Sequence, residues 1–361
     1  MDGYYSTAIT HIASLSEAER LNEIATIVNN IDAVFDYTQH SARWELMALV
    51  GYYGTCPEEI MQVITKAGGL YTRMWPHLYY QASAAAREQL ITQLGTEEDP
   101  YEIRDMLGCL AFIGDEATIK LMRQWKAGTL DHSFAAGKKF SASDSTHLGG
   151  WELNMEGNRR NLVYEPCYLL ESSDSIPISG PVRLCAPRED TCAHCGGRLV
   201  NAIVIDGKDK RLSFLGIQGV FSAPSCLDCA LISRVSYSSF DPNCSFAAPV
   251  STPFFPFVGY VGDGASYFAE EIYEETTTST WALTPTPVSP LYPTEVWEYN
   301  SIGGYPAWVQ APDYPECTNC HKTMMYVAQF QWNSVWLGAD DTFFIFACTT
   351  CNIGAVVFQG T

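Results

Sequence analysis

Cys317-Thr318-Asn319-Cys320-His321-Lys322-Thr323-Met324-Met325-Tyr326-Val327-Ala328-Gln329-Phe330, answered by Phe343-Phe344-Ile345-Phe346-Ala347-Cys348-Thr349-Thr350-Cys351, is the stretch on which the fold turns. A CxxC pair presents two thiolates from one tight turn, and tetrahedral zinc needs two such turns side by side. The apolar runs Met324 to Phe330 and Phe343 to Ala347 supply a strand going out and a strand coming back, so a β-hairpin explains the 27 residues between the pairs. The same order of parts occurs earlier. Cys192/Cys195 is followed by Leu199 to Ile205, then Leu212 to Phe221, then Cys226/Cys229, with 30 residues between the pairs.

The repetition predicts two structural zinc ions, one held by Cys192, Cys195, Cys226 and Cys229, the other by Cys317, Cys320, Cys348 and Cys351. A redox-active CxxC is normally solitary and opens a helix, which fits less well. An iron–sulfur cluster is not excluded by four cysteines alone. A catalytic zinc keeps an open position, whereas four thiolates close each site. His194 and His321 flank the turns and read as surface residues that could orient a thiolate or serve as alternative ligands. The other five of the 13 cysteines, Cys56, Cys109, Cys167, Cys185 and Cys244, read as small buried hydrophobes.

Upstream, residues 1–130 read as consecutive helices. Ser16 and Glu19 form a capping box before Leu21, Ile24, Ile27 and Val28. Ser41 caps a helix that Gly54 ends, and Pro57 opens another that Gly68 closes. Helices are also expected over 76–94, 101–113 and 116–126. The run from Ile103 through Gly114-Asp115 to Leu121 resembles a HEAT repeat, in which a Gly-Asp turn joins two antiparallel helices. The fold class expected is therefore α+β: a helical HEAT-like domain over 1–130, then a duplicated β-rich domain over 139–361. Within the latter, the first hairpin covers 191–230, an acidic insertion 233–316 and the second hairpin 317–361.

The 361 residues carry 41 acidic against 21 basic side chains, a net charge of −20. That balance argues against direct nucleic-acid or membrane binding, both of which gain from Lys and Arg beside phosphate, and favours a basic protein partner. With 47% hydrophobic residues the chain is too apolar for an acidic disordered protein. It carries no export-like leader and no apolar run of 18 residues, so a cytoplasmic location is expected. The charge is concentrated. Residues 233–316 hold Arg234 against ten acids, a net −9, together with Phe254, Phe255, Phe257, Tyr260, Tyr267, Phe268 and Tyr273. Glu270, Glu271, Glu274 and Glu275 are the candidate partner-binding residues there.

The segment Ser301-Ile302-Gly303-Gly304-Tyr305-Pro306-Ala307-Trp308-Val309-Gln310, with the cysteine hairpin that follows, closely resembles the programmed cell death protein 2 family and the bacterial YwqG-like proteins grouped with it. In that family a Gly-Gly-x-Pro-x-Trp turn leads into a zinc-knuckle pair. The resemblance covers Ser301 to Gln359 well and Thr191 to Ala230 more loosely, while the helical region is a fused module. His147-Leu148-Gly149-Gly150-Trp151 reads as a degenerate copy of the turn, without its proline. The resemblance implies protein binding: eukaryotic members look like chaperones of a basic ribosomal protein, and bacterial ones resemble immunity proteins of toxin systems.

No GxxxxGK[ST], GxSxG or HExxH motif is present, and Val261 to Ala265 is too short for a phosphate loop. No residue merits a catalytic role. The function expected is a non-enzymatic, zinc-stabilised immunity protein that neutralises a cognate toxin through acidic surface. The alternatives are a ribosomal-protein chaperone and a hydrolase with an interdomain site.

Overall fold

The computed structural model describes residues 11–35, 40–67, 75–127, 142–172, 180–193, 196–226, 229–230, 235–241, 247–249, 280–291, 300–331 and 341–360. The chain divides into two compact units, Met1–Asn161 and Leu162–Thr361. The first is mainly helical and the second is built on one large sheet, so the protein is α+β.

The first unit contains α1 (Glu17–Asn29), α2 (Ile31–Val34), α3 (His40–Tyr53), α4 (Glu58–Ala67), α5 (Ala84–Leu94), α6 (Pro100–Ile113), α7 (Glu116–Lys126) and α8 (Ala142–Leu148). Caps set several boundaries. Ser16 accepts from the Glu19 amide at 3.3 Å while Glu19 Oε2 accepts from the Ser16 amide at 2.7 Å, the reciprocal box expected from sequence. Gly54, at φ +74°, follows the end of α3. That helix begins at His40, so Ser41 lies inside it rather than capping it. The single helix expected over 76–94 is interrupted. Pro76–Tyr79 is a 3-10 turn, Gln81 takes φ +54°, and Ser83 caps α5 afresh by accepting from the Ala86 amide at 3.3 Å. Gly114 at φ +53° and Asp115, which accepts from the Thr118 amide at 2.9 Å, make the turn between α6 and α7.

The unit boundary falls after Asn161, so the described residues 142–161, expected within the β-rich region 139–361, belong with the helices. Glycines explain why. A Cβ on Gly149 would lie 2.4 Å from the Ala111 carbonyl oxygen, and one on Gly108 2.7 Å from Leu148 Cδ2, so α6 accepts a close approach that larger residues would block. Trp151 is fully buried there and donates its indole N–H to the Ala111 carbonyl at 2.8 Å. Trp151 opens a short hairpin of β1 (Trp151–Leu153) and β2 (Arg159–Asn161). His147 to Trp151 thus docks a chain segment on α6; it is not a turn above a cysteine pair.

The second unit is an antiparallel sheet of β3 (Tyr164–Ser172), β4 (Val182–Thr191), β5 (Arg198–Asp206), β6 (Val220–Ser225), β7 (Val235–Phe240), β8 (Ala247–Pro249), β9 (Thr280–Leu283), β10 (Ser301–Gly304), β11 (Met325–Gln331), β12 (Thr342–Cys348) and β13 (Ile353–Gln359). The strand order is β6-β5-β4-β9-β3-β10-β11-β12-β13-β7-β8. One end returns beside the other, with Ser236 Oγ donating to Ser225 Oγ at 3.1 Å, so the sheet is a nearly closed barrel. Its interior is filled by Leu184, Ile203, Phe221, Ile302, Phe330, Phe343, Ile345 and Val356 among others. Each such side chain contributes roughly 1.5–3 kcal/mol by leaving water.

The strand expected over Leu212 to Phe221 begins later. Asp209 accepts from the Arg211 amide and nucleates a 3-10 turn, Lys210–Leu215, which Gly216 ends at φ +69°. Leu212, Leu215 and Phe214 of that turn pack into the barrel core. Along β12, Phe343, Ile345 and Ala347 point into the core, yet Phe344 and Phe346 are equally buried. A second layer covers them: Trp308 lies 4.7 Å from the Phe344 ring and 6.1 Å from Phe346, and Tyr314 lies 5.5 Å from Phe346. Buried glutamines hold this cover. Gln329 Oε1 accepts from the Ala307 amide at 2.8 Å, and Gln359 Nε2 donates to the Ala311 carbonyl at 3.0 Å. Both faces of β12 are therefore dry, which is why its sequence is a continuous apolar run.

Candidate metal centres

The sheet brings the cysteine pairs together. Cys317 and Cys320 precede β11, Cys348 ends β12 and Cys351 precedes β13; because β11 and β12 pair antiparallel, the two turns meet at one end of the hairpin. The four sulfurs lie within 4.8 Å of one another. In the first hairpin the same construction with β5 and β6 gathers Cys192, Cys226 and Cys229. Cys195 and His194 lie outside the described residues, as do Cys244 and the partner-binding candidates Glu270, Glu271, Glu274 and Glu275. His321 is exposed and is not among the clustered groups.

The two hairpins correspond residue by residue. In each knuckle the first cysteine's amide donates to the carbonyl five residues on, Cys192 to Gly197 at 2.7 Å and Cys317 to Lys322 at 2.9 Å. The residue after the second cysteine is left-handed in both, Gly196 at φ +76° and His321 at φ +56°. A register shift follows at the same place, between Asn201 and Ile203 in one and between Tyr326 and Ala328 in the other. The correspondence extends to the strand before. Leu184 pairs with Ile203 as Ile302 pairs with Ala328, and the next residues, Cys185 at φ +46° and Gly303 at φ +72°, are both left-handed. The counterpart of the Gly303-Gly304 turn in the first repeat is therefore Cys185-Ala186. At Gly303 the approach of β3 is so close that a Cβ would lie 2.0 Å from the Pro166 carbonyl oxygen. This correspondence escaped the sequence reading, because Cys185 carries no glycine signature.

Sulfur spacing tests whether a metal fits. Cys192 and Cys229 sulfurs are 3.7 Å apart and Cys320 and Cys348 sulfurs 3.8 Å apart. Ligands about 2.3 Å from a tetrahedral ion would be about 3.8 Å from one another. Ionisation of the second cluster is coupled: donating to the Cys320 sulfur pushes Cys351 up to about 12, and burial raises Cys348, while the Lys322 backbone N–H pulls Cys320 down to about 7. In the first cluster the bond to Cys229, then burial, pushes Cys226 well up. Crowded sulfurs resist collecting negative charge, and a bound dication would offset that repulsion. Both clusters could hold a metal ion. Of the remaining cysteines, Cys109, Cys167 and Cys185 are buried as expected and Cys56 is half-buried.

Among the described residues no helix is long and apolar enough to cross a membrane. No family model matches the chain, and no solved structure matches it. Among curated proteins it is similar to the uncharacterized protein YpfL of Salmonella typhimurium, with 27% identity over 300 residues, covering 79% of this chain and 65% of that protein. The chain thus spans just under two thirds of the length of that relative.

Proposed function

We propose that the chain is a non-enzymatic protein-binding protein whose barrel is braced by two structural zinc ions and whose acidic surface captures a basic protein. In its most specific form the partner is a cognate toxin, which the chain neutralises as an immunity protein. The observation that carries the zinc part is the sulfur spacing of 3.7 and 3.8 Å, the edge of a tetrathiolate tetrahedron. Cys195 is the fourth ligand of the first centre, by its correspondence with Cys320 in the repeat. The helical unit, with α6 and α7 joined through Gly114-Asp115, is read as a HEAT-like stack.

The partner part rests on charge. A net −20, with −9 of it in the 84 residues 233–316 and seven aromatic residues over 254–273, suits fast encounter with a basic surface followed by desolvated anchoring. The stretch expected as an acidic insertion also supplies β7, β8, β9 and β10 of the sheet, so only the chain between those strands is offered as interface. The test has two arms. Metal analysis of the purified chain should give two zinc ions per chain, whereas one labile ion with an open position would favour catalysis. Affinity capture followed by mass spectrometry should recover a toxin; recovery of a ribosomal protein would redirect the assignment to a chaperone. With the partner in hand, replacing Glu270, Glu271, Glu274 and Glu275 by Lys should slow association at least tenfold at low salt, and an unchanged on-rate would remove that segment from the interface.

A further inference from the structure

We infer that the second metal centre is a site of oxidative modification, at which a hydroperoxide joins Cys320 to Cys348 and expels the metal while the first centre keeps its own. The inference rests on the zinc reading above and goes beyond it. The two centres share a backbone but not a setting. In the first, Cys192 and Cys226 are buried, Leu199 packs against them, and of its described cysteines Cys229 alone is half-buried. In the second only Cys317 is buried; Cys320, Cys348 and Cys351 are half-buried, and their neighbours Thr318, Asn319, His321, Lys322, Thr349 and Thr350 are all exposed. Partial exposure opens these sulfurs to a small oxidant. Cys320 and Cys348 come from different turns with sulfurs 3.8 Å apart, close enough to join by side-chain rotation.

The chemistry balances as follows. One thiolate attacks the terminal oxygen of the hydroperoxide, breaking the O–O bond and giving a sulfenic acid and the departing alkoxide, which is hydroxide when the oxidant is hydrogen peroxide. The second thiolate then displaces hydroxide from that sulfur and forms the disulfide. Two electrons leave the sulfur pair and reduce the peroxide oxygens, while zinc departs unchanged as the divalent ion with two of its four ligands lost.

The experiment uses the full zinc-loaded chain, hydrogen peroxide and a metallochromic indicator, with peptide mapping at the end of each phase. One equivalent of zinc should leave in a first phase, at least tenfold faster than the second, with a Cys320–Cys348 disulfide at that point. Thiol reductant with added zinc should reverse it. Both equivalents leaving at one rate, or oxidation of Cys192, Cys226 or Cys229 first, would overturn the inference. A first-phase disulfide between other cysteines of the second centre would overturn the choice of pair. A purified chain without zinc would instead sink the zinc reading on which the inference stands.

Discussion

In the first cysteine hairpin a turn between the strands, Lys210–Leu215, folds inward and lends Leu212, Phe214 and Leu215 to the barrel core. Beside the second, the described chain ahead of the first cysteine folds outward and lays Trp308 and Tyr314 over β12. The strands record the difference. Phe221 and Phe343 occupy the same inward position, but outward Phe344 and Phe346 correspond to Ser222 and Pro224. A repeat that keeps its knuckles and its bulge can thus diverge on either face of the sheet, because the cysteine turns and the register fix the frame while loops choose which face to dry.

The largest break in this comparison should come from removing a metal ligand. Cys317→Ser should unfold the carboxyl-terminal hairpin and leave the helical unit intact, since structural zinc is worth about 10 kcal/mol or more in small domains and a domain's whole margin is about 5–15 kcal/mol. Thermal melts followed by circular dichroism, with zinc content alongside, check it; an unshifted melt would count against the centre. Trp308→Ala should come next, destabilising the second unit by about 3–5 kcal/mol in urea denaturation as Phe344 and Phe346 lose their cover. Phe214→Ala tests the opposite face. Its ring stands 5.4 Å from Tyr164 and 6.3 Å from Tyr168, and its loss should cost about 2–3 kcal/mol. The smallest effect is a swap at the knuckles. His321→Gly should stabilise by about 1 kcal/mol and Gly196→His destabilise by a similar amount, because both positions are left-handed. Like signs for the two would show that backbone strain does not govern the site.

The sequence made the repeated hairpin legible because thiol pairs at fixed spacing have few other physical explanations. Strands β5, β11 and β12 fell where apolar runs placed them, and α7 over Glu116–Lys126 where Asp115 and the apolar period placed it. What hid was conformation without a residue signature. Leu212 to Leu215 is as apolar as a strand, and only the cap at Asp209 and the turn at Gly216 bend it. Gly149 and Gly150 advertise a turn equally well above a cysteine pair or against α6, and the close approach to Ala111 decides between them. The left-handed Cys185 could not be found from its residue type at all.

Strand exchange has a consequence for how the chain is made. β3 comes before the first repeat yet pairs with β10 of the second, and β9 comes before the second repeat yet pairs with β4 of the first. Neither repeat can close on its own. More than a hundred residues separate β3 from both of its partners, β9 and β10, so at about 5–20 residues per second a nascent chain holds β3 with both edges unmatched for roughly 5–25 seconds. During that interval the first knuckle can already gather its thiols, and metal captured there would hold β5 and β6 in register while synthesis continues. A metal held by the first cysteine cluster would then act as a clamp on an unfinished barrel, and scarcity of that metal would be felt first as aggregation during synthesis.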